Sequence, residues 1–365
     1  MLVVVMPWPA ALALALVTTL LVSASALVAW SRFWARRLRY DVRFDDTAWL
    51  DADDGGRVRL GRLRARGGAS PLPPVVMCHG LAMNGRTFAL DPAESLARRL
   101  ADEGRDVWLV ELRGASRRGQ HGATAAHNFD TYARQDVPAV LARVCAETGA
   151  ERVDWVGFSM GGMLAYAWLG ALGGGRIRRL VTLGSPVAFG RYRRSPLRAA
   201  HRAVRFALGL LRFTPFRSLL AAVAPLVSRH TPPALTPSFR GERYASVWLR
   251  RVLVNTFGDA PAGVTQQFVD WIATGRWTSA EGALDYEAGL AAITVPLCVI
   301  AGDRDRLAPP SASLLAAERA GASETRTVVI GPESGAEGHY DHLDLLFGRR
   351  AGRDVFPYVL EWLGR

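Results

Sequence analysis

The segment Val153-Asp-Trp-Val-Gly-Phe-Ser-Met-Gly-Gly162 decides the fold. A short apolar run leads into the pattern G-x-S-x-G, and a helical pattern rich in Ala, Leu and aromatic residues follows from Met163 to Leu169. This order predicts a strand, a sharp turn and a helix, with Ser159 at the apex of the turn. Both glycines of the pattern are needed because strand and helix approach too closely there for a Cβ atom. Ser159 is therefore the candidate nucleophile.

Strand and helix patterns alternate on both sides of this segment. The apolar runs indicate buried strands, and amphipathic helical patterns separate them. Such alternation predicts a mostly parallel sheet covered by helices on both faces. An opening β-hairpin is expected within residues 41–66, and we expect the α/β core to comprise residues 41–189 and 291–365. The predicted core strands are Pro74–Cys78, Asp106–Leu112, Ile177–Leu183, Val295–Ala301 and Thr325–Ile330.

Residues 190–290 interrupt the alternation. They contain several prolines, no clear strand pattern and long helical patterns, which predict a helical cap or lid inserted into the core. They also contain 14 arginines and only 6 acidic residues. An anionic membrane surface is one partner that fits this charge, and a solvated arginine face is the alternative.

The N-terminal residues 1–40 have the pattern of a membrane anchor. Residues 1–31 carry no charge, Ala10–Trp30 is almost wholly apolar, and a basic flank of four arginines follows within residues 32–39. The pattern predicts a single transmembrane helix, with the large domain on the cytoplasmic side by the positive-inside rule. The alternative is a secretory signal peptide cleaved after Ala24-Ser25-Ala26, although no basic residue precedes the apolar run.

Composition narrows the classes of partner. The net charge is +12, and all of the basic residues are arginines, because the chain contains no lysine. No helix-turn-helix, zinc-finger or basic–aromatic pattern accompanies this charge, so we expect no nucleic-acid partner. The three cysteines are far apart in the sequence and predict neither a disulfide framework nor a metal site, but small core residues. No cofactor or metal is expected. The cysteines are Cys78, Cys145 and Cys298.

A serine nucleophile needs a base, and the base needs an orienting carboxylate. In sheets with this turn the chain order is serine, acid, histidine. Asp303 and Asp305 both follow a predicted strand, and the spacing G-x-x-D before an apolar-small-Pro turn favours Asp305. Beyond them lie two candidate bases, His339 and His342. We favour His342 because it begins a helical pattern.

An oxyanion formed during acyl transfer would need two backbone donors. The first candidate is the N–H of Met160, the residue after the nucleophile. The second is the N–H of Leu81, in the loop His79-Gly80-Leu81 that follows the first core strand. We expect His79 to be a hydrogen-bonded structural residue rather than a second base.

Four further motifs stand out along the chain: Ser95-Leu-Ala with Leu100–Trp108, Arg113-Gly114, Tyr132 with Asp136–Val140, and His342-Leu-Asp. Together they resemble the α/β-hydrolase superfamily, and in particular its acid lipase branch. The resemblance covers residues 72–365, and it implies carboxylic ester hydrolysis with lipid esters as the leading substrate class. The region of the acid and the base is also similar to polyhydroxyalkanoate synthases, which have cysteine where this chain has Ser159.

These observations predict an α/β-hydrolase fold and a serine hydrolase that cleaves lipid or small-molecule esters through Ser159, His342 and Asp305. An acyltransferase with the same acyl-enzyme is one alternative, and a non-catalytic binding protein is another. The sequence does not predict an oligomeric state.

Overall fold

The computed structural model describes residues 8–68, 70–91, 94–115, 124, 126–190, 199–228 and 246–364. The described strands, in chain order, are β1 (Asp46–Asp51), β2 (Arg57–Leu63), β3 (Val75–Cys78), β4 (Val107–Glu111), β5 (Val153–Phe158), β6 (Ile177–Leu183), β7 (Phe213–Thr214), β8 (Ala260–Pro261), β9 (Leu297–Gly302) and β10 (Thr325–Ile330).

The central sheet has eight strands in the order β1-β2-β4-β3-β5-β6-β9-β10. The pairs β1–β2 and β2–β4 are antiparallel, and the other five pairs are parallel. Every residue of β3, β4 and β5 is buried. Alternate side chains of these strands enter two separate apolar clusters, one on each face of the sheet. The predicted hairpin and the mostly parallel sheet are therefore confirmed.

Helices cover both faces. The described α-helices are α1 (Trp8–Arg37), α2 (Leu96–Asp102), α3 (Phe129–Thr131), α4 (Val137–Thr148), α5 (Met160–Leu169), α6 (His201–Gly209), α7 (Phe216–Val223), α8 (Ser246–Asn255), α9 (Ala262–Thr274), α10 (Tyr286–Gly289), α11 (Pro310–Ser313), α12 (Leu315–Arg319), α13 (Asp344–Phe347), α14 (Ala351–Asp354) and α15 (Phe356–Gly364). A π-helical turn, Tyr132–Asp136, joins α3 to α4, and short 3₁₀ turns include Gly85–Phe88.

The insertion 190–290 is mainly helical where the structure describes it; residues 191–198 and 229–245 lie outside the described residues. One detail differs from the prediction, which found no strand here. The two-residue strands β7 and β8 pair antiparallel through Phe213 with Pro261 and Thr214 with Ala260. A strand of two residues is too short to show an alternation of apolar and polar residues, so the sequence could not predict this pair.

The N-terminal helix α1 differs from the expected anchor. Within the described part of the chain, no helix is long and apolar enough to cross a membrane. The transmembrane prediction is therefore not supported, and neither is the cytoplasmic placement that depended on it. Near its C-terminal end, α1 contacts the insertion: the indole Nε1 of Trp30 donates to the carbonyl of Ala222 at 2.9 Å, and Ser31 is buried. Apolar side chains on either side of this contact, among them Val22, Leu27 and Phe33, are exposed. Residues 1–7 of the predicted anchor lie outside the described residues.

Candidate active site

Ser159 lies at a strained turn between β5 and α5. Its backbone has φ 52° and ψ −120°, a conformation that a residue with a Cβ rarely adopts. A Cβ on Gly157 would lie 2.4 Å from the Cα of Gly162, and one on Gly161 would lie 2.0 Å from the carbonyl oxygen of Cys78. Only glycine fits at both positions. The turn therefore holds Ser159 half-exposed at the carboxyl edge of the sheet.

The loop after β3 runs beside Ser159. The backbone N–H of Leu112 donates to His79 Nε2 at 3.2 Å, so Nδ1 carries the proton and donates to the Gly80 carbonyl at 2.8 Å. His79 thus supports the loop and has no nitrogen left to act as a base. A Cβ on Gly80 would lie 3.0 Å from the Cβ of Ser159. This close approach places the loop that contains Leu81 next to the candidate nucleophile.

The two predicted oxyanion donors are the backbone N–H groups of Met160 and Leu81. Met160 is the first residue of α5, where N–H groups have no partner within the helix. No hydrogen bond from either N–H to another described residue is present. Both donors are therefore available to a ligand on this side of the sheet.

Asp305 and His342 are in direct contact. His342 Nδ1 lies 2.7 Å from Asp305 Oδ2, and both side chains are buried. The other carboxylate oxygen, Asp305 Oδ1, accepts the backbone N–H groups of Leu307 at 2.8 Å and Ala308 at 2.7 Å. Three hydrogen bonds thus fix the carboxylate, and the carboxylate orients the imidazole.

Packing fixes the face of the imidazole as well. The His342 ring lies 4.8 Å from the ring centroid of Phe158, the residue before Ser159. A Cβ on Gly184 would lie 3.0 Å from His342 Cε1 and 3.2 Å from Asp305 Oδ2. No hydrogen bond joins the Ser159 hydroxyl to His342 among these described residues. Catalytic hydrogen bonds often tighten only when substrate is bound, so the lack of this bond does not exclude His342 as the base.

The alternative acid and base also pair with each other. His339 Nδ1 contacts Asp303 Oδ2, while Asp303 Oδ1 accepts the backbone N–H of Tyr340 at 2.8 Å. The backbone N–H of Arg304 donates to the Tyr340 carbonyl at 3.0 Å. The side chain of His339 is 43% exposed, against 6% for His342. This second pair therefore joins the loop of the acid to the loop of the base at the protein surface.

The sequence did not reveal how the insertion meets the site. Phe257 forms an isolated antiparallel bridge with Met83, and the N–H of Gly258 donates to the Ala82 carbonyl at 2.8 Å. A Cβ on Gly114, in the loop after β4, would lie 2.9 Å from Pro261. The insertion thus packs on the loop that contains Leu81, the second predicted oxyanion donor. Contacts between segments so distant in sequence have no local signal.

A buried ion-pair network supports the loop after β4. The Arg113 guanidinium is fully buried and contacts the carboxylates of Asp136 and Asp54. The Tyr132 hydroxyl donates to the Arg113 carbonyl at 2.8 Å. Arg113 forms ion pairs with two carboxylates from separate segments, so its loss would leave the buried carboxylate of Asp136 without a cationic partner. The motif residues Arg113, Tyr132 and Asp136 are therefore structural in this chain.

The cysteines are core residues, as predicted. Cys78, Cys145 and Cys298 are all buried, and none of the three forms a disulfide with another described residue. Burial raises the pKa of the Cys78 thiol, so this thiol is protonated and unreactive at neutral pH.

Comparison with known proteins identifies the family. The family model of the alpha/beta hydrolase fold matches residues 73–343. Gastric triacylglycerol lipase of Rattus norvegicus is 28% identical over 331 residues, which cover 80% of each chain. Human lysosomal acid lipase/cholesteryl ester hydrolase is 30% identical over 163 residues, or 40% of each chain.

Solved structures share the same fold. A hydrolase from Pseudomonas aeruginosa superposes with a TM-score of 0.58 at 18% identity, over 88% of this chain and all of the other. An esterase from Exiguobacterium antarcticum gives a TM-score of 0.55 at 20% identity, over 87% and 99% of the two chains. These structures support the fold, and the lipase relatives support ester hydrolysis. This chain is a carboxylic ester hydrolase that resembles acid lipases, and it belongs to the α/β-hydrolase family.

Proposed function

We propose that this chain hydrolyses lipid esters through a triad of Ser159, His342 and Asp305. The hydrogen bond of 2.7 Å between buried His342 and Asp305, beside the turn that presents Ser159, carries the proposal. Asp305 accepts the Nδ1 proton of His342, which leaves Nε2 unprotonated as the base. The catalytic core then comprises residues 41–189 and 291–365, with residues 190–290 as a cap.

The proposed reaction proceeds in two steps. Ser159 Oγ attacks the ester carbonyl while His342 Nε2 takes its proton, and the same proton then leaves with the alcohol. The N–H groups of Met160 and Leu81 stabilise the oxyanion in each tetrahedral intermediate. Water then attacks the acyl-enzyme while His342 takes its proton, and His342 returns that proton to Ser159 Oγ as the carboxylic acid leaves. The Asp305 carboxylate stabilises the imidazolium.

Two observations support lipid esters as the substrate class. Two gastric triacylglycerol lipases match this chain over 80% and 79% of its length. In the insertion, large apolar side chains face solvent: Phe206 is 71% exposed, Leu210 is 72% exposed and Leu226 is 73% exposed. Phe206 and Leu210 are four residues apart at the end of α6, so they lie on the same side of that helix. Exposed apolar side chains of this size suit contact with another apolar surface, and an aggregated lipid substrate provides one.

Hydrolysis of p-nitrophenyl esters with acyl chains from acetyl to palmitoyl tests the proposal. We expect activity to rise with chain length, and Ser159→Ala to reduce kcat by about 10⁴-fold or more. Ser323→Ala, at an exposed serine far along the chain, is the matched control and should retain full activity. Full activity in folded Ser159→Ala would refute the assignment of the nucleophile. A preference for acetyl over palmitoyl esters would refute the lipid substrate and leave a short-chain esterase.

A further inference from the structure

A polar pocket of about 280 Å³ lies outside the candidate active site. Its lining comes from α1 and the residues just after it, strands β1, β2 and β4, the 3₁₀ turn Gly85–Phe88, the start of α7 and the end of α8. Four of these segments contribute one arginine each. They are Arg39, Arg59, Arg86 and Arg217.

The pocket has an excess of positive charge. Glu111 is its one acidic lining residue, so the lining carries three net positive charges. A carboxylate oxygen of Glu111 lies 3.4 Å from the guanidinium of Arg59. The guanidinium of Arg39 lies 3.5 Å from a carboxylate oxygen of Asp41, an exposed residue that does not line the pocket. Asp259 accepts the backbone N–H of Arg217 at 3.2 Å. Carboxylates thus contact the guanidinium groups of Arg59 and Arg39 and the backbone of Arg217.

Arg86 differs from the others. Its side chain is half-buried, and neither a hydrogen bond nor an ion pair within 4 Å joins its guanidinium to any described residue. Burial, together with the like charges of Arg217, Arg59 and Arg39, lowers the pKa of Arg86, although Glu111 opposes this effect. A half-buried cation surrounded by like charges is costly unless an anion accompanies it.

Hydrogen bonds hold Arg86 in this position. The Asn84 side chain accepts the backbone N–H of Arg86 at 3.0 Å and donates to the Asn255 carbonyl at 2.9 Å. The Asn255 amide donates in turn to the Leu38 carbonyl at 3.0 Å. These bonds connect the arginine-bearing turn to α8 and to the end of α1. These hydrogen bonds fix the backbone around Arg86 relative to the neighbouring segments of the pocket.

We propose that this pocket binds a phosphate group, either of a lipid headgroup or of a soluble phosphate ester. Guanidinium groups are planar, permanently charged and able to form two parallel hydrogen bonds to phosphate oxygens. Four arginines around one cavity match the tetrahedral oxygens of phosphate better than a planar carboxylate. The site is independent of the ester-hydrolysis chemistry, so a failure of one proposal leaves the other standing.

Titration calorimetry of the full chain with inorganic phosphate, at constant ionic strength, tests the pocket. We expect one phosphate per chain, and Arg86→Gln should weaken the binding by about tenfold or more. Arg86→Lys keeps the charge but loses the paired donors, so its affinity should lie between the two. Arg66→Gln, at a position 78% exposed and outside the pocket, is the matched control and should bind as the wild type does.

Equal phosphate affinity in the wild type and Arg86→Gln would overturn the proposal, as would the lack of saturable binding to the wild type. Arg86→Gln should melt at the same or a higher temperature without phosphate, because it removes like-charge repulsion. If this variant does not fold, Arg217→Gln at an exposed position provides the same test.

Two further ligands distinguish the sources of phosphate. Arg86-dependent co-sedimentation with vesicles that contain phosphatidic acid, but not with pure phosphatidylcholine vesicles, would identify a lipid headgroup. Arg86-dependent binding of glycerol 3-phosphate without vesicle binding would identify a soluble ester.

Discussion

Two histidine–aspartate pairs lie a few residues apart, and they differ in almost everything except composition. The pair His342–Asp305 is buried, with 6% and 0% of the side chains exposed. The pair His339–Asp303 is exposed to 43% and 20%. Both aspartates follow β9 and both histidines follow β10, so the order along the chain suits either pair equally. Composition and order alone do not identify a catalytic dyad.

Their surroundings differ in kind. The imidazole of His342 packs on Phe158, next to the proposed nucleophile, whereas Asp303 uses its second oxygen to hold the backbone of Tyr340. The buried pair lies beside Phe158, and the exposed pair joins the loop of the acid to the loop of the base. In the proposed assignment, burial and orientation decide which pair has the chemical role, and the other pair serves as a loop connection. Four predictions test this distinction.

The histidines should show the largest contrast. His342→Ala removes the proposed base and should reduce kcat by about 10⁴-fold or more. His339→Ala removes one side of a surface contact and should reduce kcat by less than about tenfold. Steady-state kinetics on one ester gives both values, and circular dichroism checks that each variant folds. A larger loss in His339→Ala would exchange the roles of the two pairs.

The aspartates should differ next. Asp305→Asn puts an amide where His342 needs an acceptor, favours the wrong tautomer, and should reduce kcat by about 10³- to 10⁴-fold. Asp303→Asn can still accept the Tyr340 N–H through its carbonyl oxygen, so we expect a loss below about tenfold. Values of kcat and KM measured in parallel test the contrast. Similar losses of kcat in the two variants would indicate that both pairs take part in the chemistry.

Two glycines provide a subtler comparison. Gly184→Ala, at φ 55°, would press a methyl group against His342 and Asp305, and kcat should fall by about 10²-fold. Gly331→Ala would press on the side chain of Asp303, which lies 2.6 Å from the added Cβ. That variant should lose some thermal stability and little activity. A larger loss of kcat in Gly331→Ala than in Gly184→Ala would contradict the proposed roles of the two pairs.

Chemical accessibility should show the smallest effect. Diethylpyrocarbonate should modify His339 faster than His342 because more of the His339 side chain is exposed. Peptide mass spectrometry follows each site, and the loss of activity should follow the modification of His342. If activity disappears while His342 is still unmodified, the proposed base is wrong.

The turn around Ser159 was fully predictable. The pattern G-x-S-x-G between an apolar run and a helical run is local, and the clashes that exclude a Cβ at Gly157 and Gly161 arise within this unit and the neighbouring strand. Strand positions were predictable for the same reason: β6 matches its predicted residues, and β10 matches Thr325–Ile330.

The N-terminal segment was predicted less well. An apolar run of about 20 residues satisfies the length criterion for a membrane span. In the structure Trp30 of this helix contacts the insertion, while Val22 and Leu27 are exposed. Hydropathy reflects the free energy of moving a side chain out of water. It does not tell whether the helix then contacts lipid or protein.

The sequence by itself determined the α/β core, the nucleophile turn and the short set of candidate acids and bases, because each depends on neighbouring residues. Only the tertiary structure decided the pairing of Asp305 with His342, the contact of the insertion with the oxyanion loop, and the convergence of four arginines on one pocket. These contacts join segments up to two hundred residues apart. Their energies depend on burial and direction, which exist only after the chain has folded.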